Sequence, residues 1–190
     1  MDSADKLSLL IESCIKGDRK SQQNIYQMFY GKMMSICLRY TKDKDEAKDI
    51  LQDGFIKIFS SLGKYNFQGS FEGWVRRIVV NTAIDSFRKK SSLHTNGNIK
   101  FIEQLQDIVE EEVDENLVLP NNYKVADIIE AMQQLSPAYR MVFNLYIMED
   151  HSHKQIAELL GISEGTSKSN LAKAKQNVIK ILEKNYKQPI

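Results

Sequence analysis

The sequence predicts an all-α protein, two small helical domains joined by an acidic linker, and three observations carry that expectation. Apolar residues recur with helical spacing along most of the chain. No stretch alternates with the period of two that a half-buried strand needs. The periodicity lapses once, between Ser91 and Asn122, where Ser, Asn and Gly give way to the acidic run IEQLQDIVEEEVDENL and then to Pro120. That lapse is longer than most connections between packed elements, so it separates two folded units, residues 1–90 and 122–190, by a tether over 91–121.

In the first unit, Leu7, Leu10, Ile11 and Cys14 share one face of a short helix that Gly17 ends. Asp18 caps a second helix, in which Ile25, Phe29, Met33, Ile36, Cys37 and Tyr40 hold the period for over four turns. Asp43 stands three residues before Glu46, the spacing of a capping box, and opens a third helix with a dense stripe of Ala47, Ile50, Leu51, Phe55, Ile58, Phe59 and Leu62. Ser70 caps a fourth, with Phe71, Trp74, Val75, Ile78 and Thr82 inward and Arg77, Asn81, Asp85 and Arg88 along another face. The linker has room for one short helix over 101–109.

The second unit begins with Val125, Ile128, Ile129 and Met132 on one face. Ser136 then supplies a cap and Pro137 the first helical position of a helix filled by Val142, Phe143, Tyr146 and Ile147. Ser152 and Gln155 form a further capping box, Ile156, Leu159 and Leu160 give a short helix, and Gly161 ends it where a left-handed residue is wanted. Ser163 caps the last helix.

Composition narrows the function. With 190 residues, 42% hydrophobic and 27% charged, the chain is an ordinary soluble protein. It lacks the roughly 18-residue apolar run of a membrane span and the basic leader of a secretion signal, which predicts a cytoplasmic protein without direct membrane insertion. Cys14 and Cys37 both fall at apolar helical positions, so two buried thiols are expected rather than a disulfide. His151 and His153 have no further His or Cys at metal spacing, and no metal or other cofactor is expected. The net charge of +1 hides a segregation. Residues 74–90 hold five bases and one acid, 101–119 seven acids and no base, and 164–187 six lysines and two glutamates.

Two helices joined by the tight turn Gly161-Ile162-Ser163, the second carrying Lys168, Lys173 and Lys175, have the arrangement of a helix-turn-helix DNA reader. In that geometry the start of the second helix meets base edges and lysines farther along neutralise phosphates. Thr166, Lys168, Ser169 and Asn170 are the candidate readers, with Ser167 beside them. Taken singly, each lysine reads better as a solvated helix face than as a specific contact; taken with the turn, DNA contact is favoured.

Three segments, DEAKDILQDGFIKIF, GSFEGWVRRIVVNTAIDSFRKK and SHKQIAELLGISEGTSKSNLAKAK, occur in that order. Together they resemble regions two and four of the sigma-70 superfamily of RNA polymerase sigma factors, in the two-domain extracytoplasmic-function (ECF) form. The resemblance implies a non-enzymatic subunit that binds core RNA polymerase and directs promoter recognition and transcription initiation. It implies that Asp45, Glu46, Asp49, Gln52 and Asp53 grip the coiled coil of the polymerase beta-prime subunit, with the beta flap a second contact. The loop over 64–70, with Tyr65, Asn66, Phe67 and Ser70, resembles the family's loop that captures a base flipped from the minus-ten element. Trp74, Arg76, Arg77, Asn81, Asp85, Arg88 and Lys89 extend that minus-ten set, although helical spacing suits Phe71 and Trp74 to core support.

The minus-thirty-five set is Thr166, Ser167, Lys168, Ser169, Asn170, Lys173 and Lys175. Two of these depart from the family pattern: Ser167 stands where a valine-like residue commonly packs, and Asn170 where an arginine is common. The resemblance also implies an anti-sigma partner. A helix-turn-helix regulator that does not join polymerase is the alternative, but it would need a sensing domain in front. A third reading, a helical enzyme or adaptor, finds no phosphate loop, metal cluster or nucleophile constellation.

Overall fold

The computed structural model describes residues 3–93 and 123–186, and every regular element in these residues is helical. The predicted acidic linker and its short helix lie outside the described residues, apart from the end of the fourth helix. The elements are α1 (Ser3–Ile15), α2 (Arg19–Tyr40), α3 (Lys44–Ser61), a 3-10 turn (Leu62–Lys64), α4 (Phe71–Leu93), α5 (Val125–Gln133), α6 (Pro137–Phe143), a π turn (Asn144–Met148), α7 (His153–Leu160) and α8 (Glu164–Asn185). They divide into two compact units, one of Met1–Cys37 with Lys44–Ala83, the other of Leu38–Asp43 with Ile84–Ile190. Division by contact therefore groups the end of α2 and the C-terminal part of α4 with the second unit, away from the break in the sequence pattern.

The first unit is three long helices and a short one around an apolar core. Asp18 caps α2 by accepting from Ser21 N at 2.8 Å, and hydrogen bonds from the Ser21 side chain first and this amide second hold its carboxyl below the usual range. Ile11, Ile25, Met33, Leu51, Ile58 and Leu62 are fully buried, and Cys14 and Cys37 are buried free thiols. Gly54 lets α3 approach α4: a Cβ there would lie 3.3 Å from Val79 Cγ2. Val79 and Val80 join the core although the sequence pattern did not single them out, while Phe59 is only half-buried.

The second unit is built from three short helices, closed by polar contacts, and the long α8. Asp127 reaches back to accept from Lys124 N at the start of α5, and Ser136 Oγ accepts from Tyr139 N at the start of α6. The helix expected to carry Val142 through Ile147 is not uniform. It widens after Phe143 into the π turn, with Glu149 N donating to Asn144 O five residues back. The wider winding rotates Tyr146 and Ile147 outward, to 36% and 38% exposed, where unbroken α-helical periodicity would have put them inside. Val125, expected on the inner face of α5, is 71% exposed at the helix's first position.

Candidate nucleic-acid interface

After α3 the chain tightens into the 3-10 turn, and Leu62 is buried beneath it. Tyr65 N donates to Leu62 O, and the Tyr65 hydroxyl donates across the loop to Gly69 O at 2.9 Å. Asn66 Oδ1 accepts from Gln68 N, an Asx turn that folds the tip. Phe67 then takes a left-handed backbone, φ 59°, and Gly69 a second, φ 76°. Gly69 adopts such a conformation without steric penalty, whereas a non-glycine residue there costs on the order of 1–3 kcal/mol. The loop therefore holds Phe67 out, 45% exposed, by a conformation that a relaxed tip would avoid.

Beneath Phe67 lies an aromatic floor. Tyr65 sits 5.2 Å from Phe67, 5.1 Å from Phe71 and 5.5 Å from Trp74, ring centroid to centroid. Phe71 stacks on Trp74 and meets Phe29 of α2 edge-on. Ser70 caps α4 by accepting from Gly73 N. Tyr65 and Phe71 are buried and Trp74 half-buried, so the expected core support by Phe71 and Trp74 is matched by burial and extends to Tyr65. From this cap Arg77, Asn81, Asp85, Arg88 and Lys89 run exposed along α4, with Arg76 half-buried.

On α3, Asp45, Asp49, Gln52 and Asp53 are exposed and Glu46 is half-buried, while Ala47, Ile50, Leu51, Gly54 and Phe55 face inward. Asp45 and Glu46 occupy the first turn, where the helix dipole favours negative charge. Lys48 Nζ meets Asp45 Oδ1 at 2.7 Å, and that hydrogen bond holds the carboxyl below its usual range.

In the second unit, α7 opens with the expected capping box: Ser152 Oγ accepts from Gln155 N and Gln155 Oε1 from Ser152 N at 2.8 Å. Gly161, φ 69°, closes it, with Gly161 N and Ile162 N both donating to Ala157 O. Ser163 Oγ accepts from Thr166 N and starts α8, which is 22 residues long. Lys168 and Ser169 are exposed, and Thr166, Lys173 and Lys175 are half-buried.

Ser167 and Asn170 are the two expected readers that the structure buries, at 0% and 1% exposed. With Leu171, Ala174, Val178 and Leu182 they follow the i, i+3, i+4 spacing of the helix face turned to the core. Side chains there face the core, which leaves Thr166, Lys168 and Ser169 as the candidate readers of this turn that reach the surface. Ser167 Oγ instead meets His153 Nδ1 at 2.9 Å.

Two features of this unit had no visible sequence signal. Arg140 is 4% exposed, and its guanidinium donates to Met132 O (2.9 Å), Gln133 O (2.7 Å) and Leu135 O (2.8 Å), closing the end of α5 with a buried cation. Asn144, fully buried, donates from Nδ2 to Arg140 O at 3.0 Å.

A sigma-70 region 2 family matches residues 25–93 and a sigma-70 region 4 family matches residues 126–178, together more than half of the chain. The chain is 26% identical over 179 residues to the RNA polymerase sigma-H factor of Pseudomonas aeruginosa, covering 92% of each protein. It is 27% identical over 178 residues to the ECF RNA polymerase sigma factor SigW of Bacillus subtilis, covering 90% of this chain and 94% of that one. Among solved structures it is similar to the sigma factor RpoE, solved with the anti-sigma factor NepR, from Bartonella quintana. That likeness has 17% identity and a TM-score of 0.48, over 86% of this chain and 97% of that one. With region 2 in its N-terminal helices and region 4 in its C-terminal ones, the chain belongs to the sigma-70 family as an ECF sigma factor, a protein that binds RNA polymerase for promoter recognition.

Proposed function

We propose that the two units divide promoter recognition, the N-terminal helices opening and reading the minus-ten element and the helix-turn-helix reading the minus-thirty-five element. The observation that carries this reading is the loop over 64–70, where Phe67 stands exposed over the floor of Tyr65, Phe71 and Trp74 at the head of a polar and basic face of α4. A base lifted from a melted strand needs an apolar platform and polar edges, and stacking contributes about 1–3 kcal/mol per base. Phe67 provides the platform, Asn66 and Ser70 the edges, and Asn81 with Arg76, Arg77, Arg88 and Lys89 meets adjoining bases and phosphates. Asp85 orients neighbouring arginines. Tyr65 and Trp74 act from below as supports.

In the second unit Thr166, Lys168 and Ser169 face the groove, and Lys173 and Lys175 neutralise phosphates. Asp45, Glu46, Asp49, Gln52 and Asp53 form the acidic face that meets the beta-prime coiled coil, complementary to basic side chains on such a partner. The beta flap takes the second unit. The two contacts are each weak and act together through the tether and the enzyme. Like sigma factors generally, the protein performs no chemistry of its own, and its place of action is the cytoplasm, with an anti-sigma protein as its regulator.

The test is Asn81→Ala in reconstituted holoenzyme. Impaired open-complex formation or altered minus-ten selection, with polymerase binding intact, is the expected result, and normal open complexes would overturn the assignment. Lys168→Ala should give a shallower salt dependence of upstream-element use, and an unchanged slope removes Lys168 from the contacts.

A further inference from the structure

The two helices of the helix-turn-helix are joined by a buried polar contact. Ser167 lies in the first turns of α8, between the exposed Lys168 and the half-buried Thr166, and is itself 0% exposed. A buried hydroxyl without a partner is destabilising, and His153 Nδ1 at 2.9 Å supplies the partner. His153 is the first residue of α7, directly after the capping Ser152. Its ring is stacked on Tyr146 of the π turn, with centroids 4.5 Å apart and planes 25° from parallel. Tyr146, His153 and Ser167 thus form a strut that runs from the π turn through the head of α7 to the reading end of α8.

We propose that His153 is a positioning residue for upstream-element recognition. Its hydrogen bond to Ser167 sets the rotation and height of α8 relative to α7, and so the pose in which Thr166, Lys168 and Ser169 meet the groove. An apolar contact at position 167 would hold the helices together but would leave that rotation less defined, because dispersion is not directional and a hydrogen bond is. The stack on Tyr146 fixes the ring plane, so that Nδ1 points at Ser167 rather than at solvent. This role rests on the reading of the second unit as the upstream-element reader, and it adds two residues, His153 and Tyr146, that do not themselves touch DNA.

The test uses holoenzyme and a promoter recovered by the wild-type protein from a randomised library. Transcription is compared between templates with the recovered and the scrambled upstream element. His153→Phe keeps a ring for Tyr146 and removes Nδ1; Ser167→Ala removes the other partner; His153→Asn places an amide where Nδ1 stood. Loss of one hydrogen bond predicts a fall of about three- to tenfold in discrimination between the two templates for His153→Phe and for Ser167→Ala. The double variant should fall no further, since both changes remove the same bond. His153→Asn should recover part of the discrimination, which a role confined to packing would not give.

Unchanged discrimination in both single variants, or losses that multiply in the double, would overturn the strut. Lys168→Ala is run beside them. If it lowers discrimination while His153→Phe does not, the strut fails and the reading of the unit stands. If the wild-type protein shows no upstream discrimination at all, the reading fails and the strut with it.

Discussion

The two units hold their proposed DNA-facing surfaces still with opposite materials. The N-terminal unit uses length and apolar bulk: α2, α3 and α4 are 22, 18 and 23 residues long and pack through Ile25, Met33, Leu51, Ile58, Val75 and Val79. Among the described residues its buried polar side chains are Ser21 and Thr82, the latter bonded to Ile78 O of its own helix. Beside the 22-residue α8, the C-terminal unit has α5, α6 and α7 of only 9, 7 and 8 residues, and it buries Thr41, Arg140, Asn144, Ser167 and Asn170. Helices that short are marginal by themselves, so their ends must be closed by directed bonds rather than by propensity. The difference teaches that the first platform is defined by shape and the second by hydrogen bonds.

The largest effect that could break this comparison is at Arg140. Arg140→Met keeps the bulk but removes the guanidinium's bonds to Met132 O, Gln133 O and Leu135 O around the end of α5, and should destabilise the C-terminal unit by about 3–5 kcal/mol. Trp74, the one tryptophan of the sequence, lies in the N-terminal unit. In a urea titration the far-UV circular dichroism should therefore lose its C-terminal share early, while Trp74 fluorescence keeps its midpoint. Coincident shifts in both signals would show that the polar unit is not specified separately.

The converse substitution is Gly54→Leu, which forces bulk against Val79 where α3 meets α4. It should cost about 1–3 kcal/mol and move the Trp74 transition instead. An unmoved Trp74 midpoint would mean that the apolar packing has slack the structure does not show.

How much of this was legible in the sequence follows the same division. Caps and apolar stripes carry their signal locally, so the capping box at Ser152 and Gln155, the left-handed Gly161 and the stripe on α3 were all readable from spacing. The buried polar groups were not, because an arginine such as Arg140 or an asparagine such as Asn170 reads as a solvated or DNA-facing residue until its neighbours are known. Ser167 was half legible: the resemblance put it where a valine-like residue commonly packs, while its polarity and its place at the head of α8 pointed to DNA. Tyr65 misled in the same way, being aromatic and on the loop, yet buried with its hydroxyl bonded to Gly69 O. The outward turn of Tyr146 depended on a π turn that no local pattern announces.

The smallest expected effect is at the far end of α8, where the Tyr186 hydroxyl donates to Glu130 of α5 and its pKa is pushed up from 10.0 to about 12, first by that hydrogen bond. The folded state holds this proton more tightly than the unfolded chain. Its contribution is therefore complete below pH 10.0 and lost as pH rises toward about 12. Wild-type and Tyr186→Phe melting temperatures should differ slightly at neutral pH and converge across that window. A difference that persists above it would assign the effect to packing.

The central claim, that both surfaces serve one polymerase-bound recognition event, is tested most directly by capture with core RNA polymerase followed by run-off transcription on a genomic promoter library, with and without the protein. The account predicts capture and a set of transcripts that require the protein, sharing one upstream and one downstream element. DNA binding by the C-terminal helices with no capture of polymerase would contradict it.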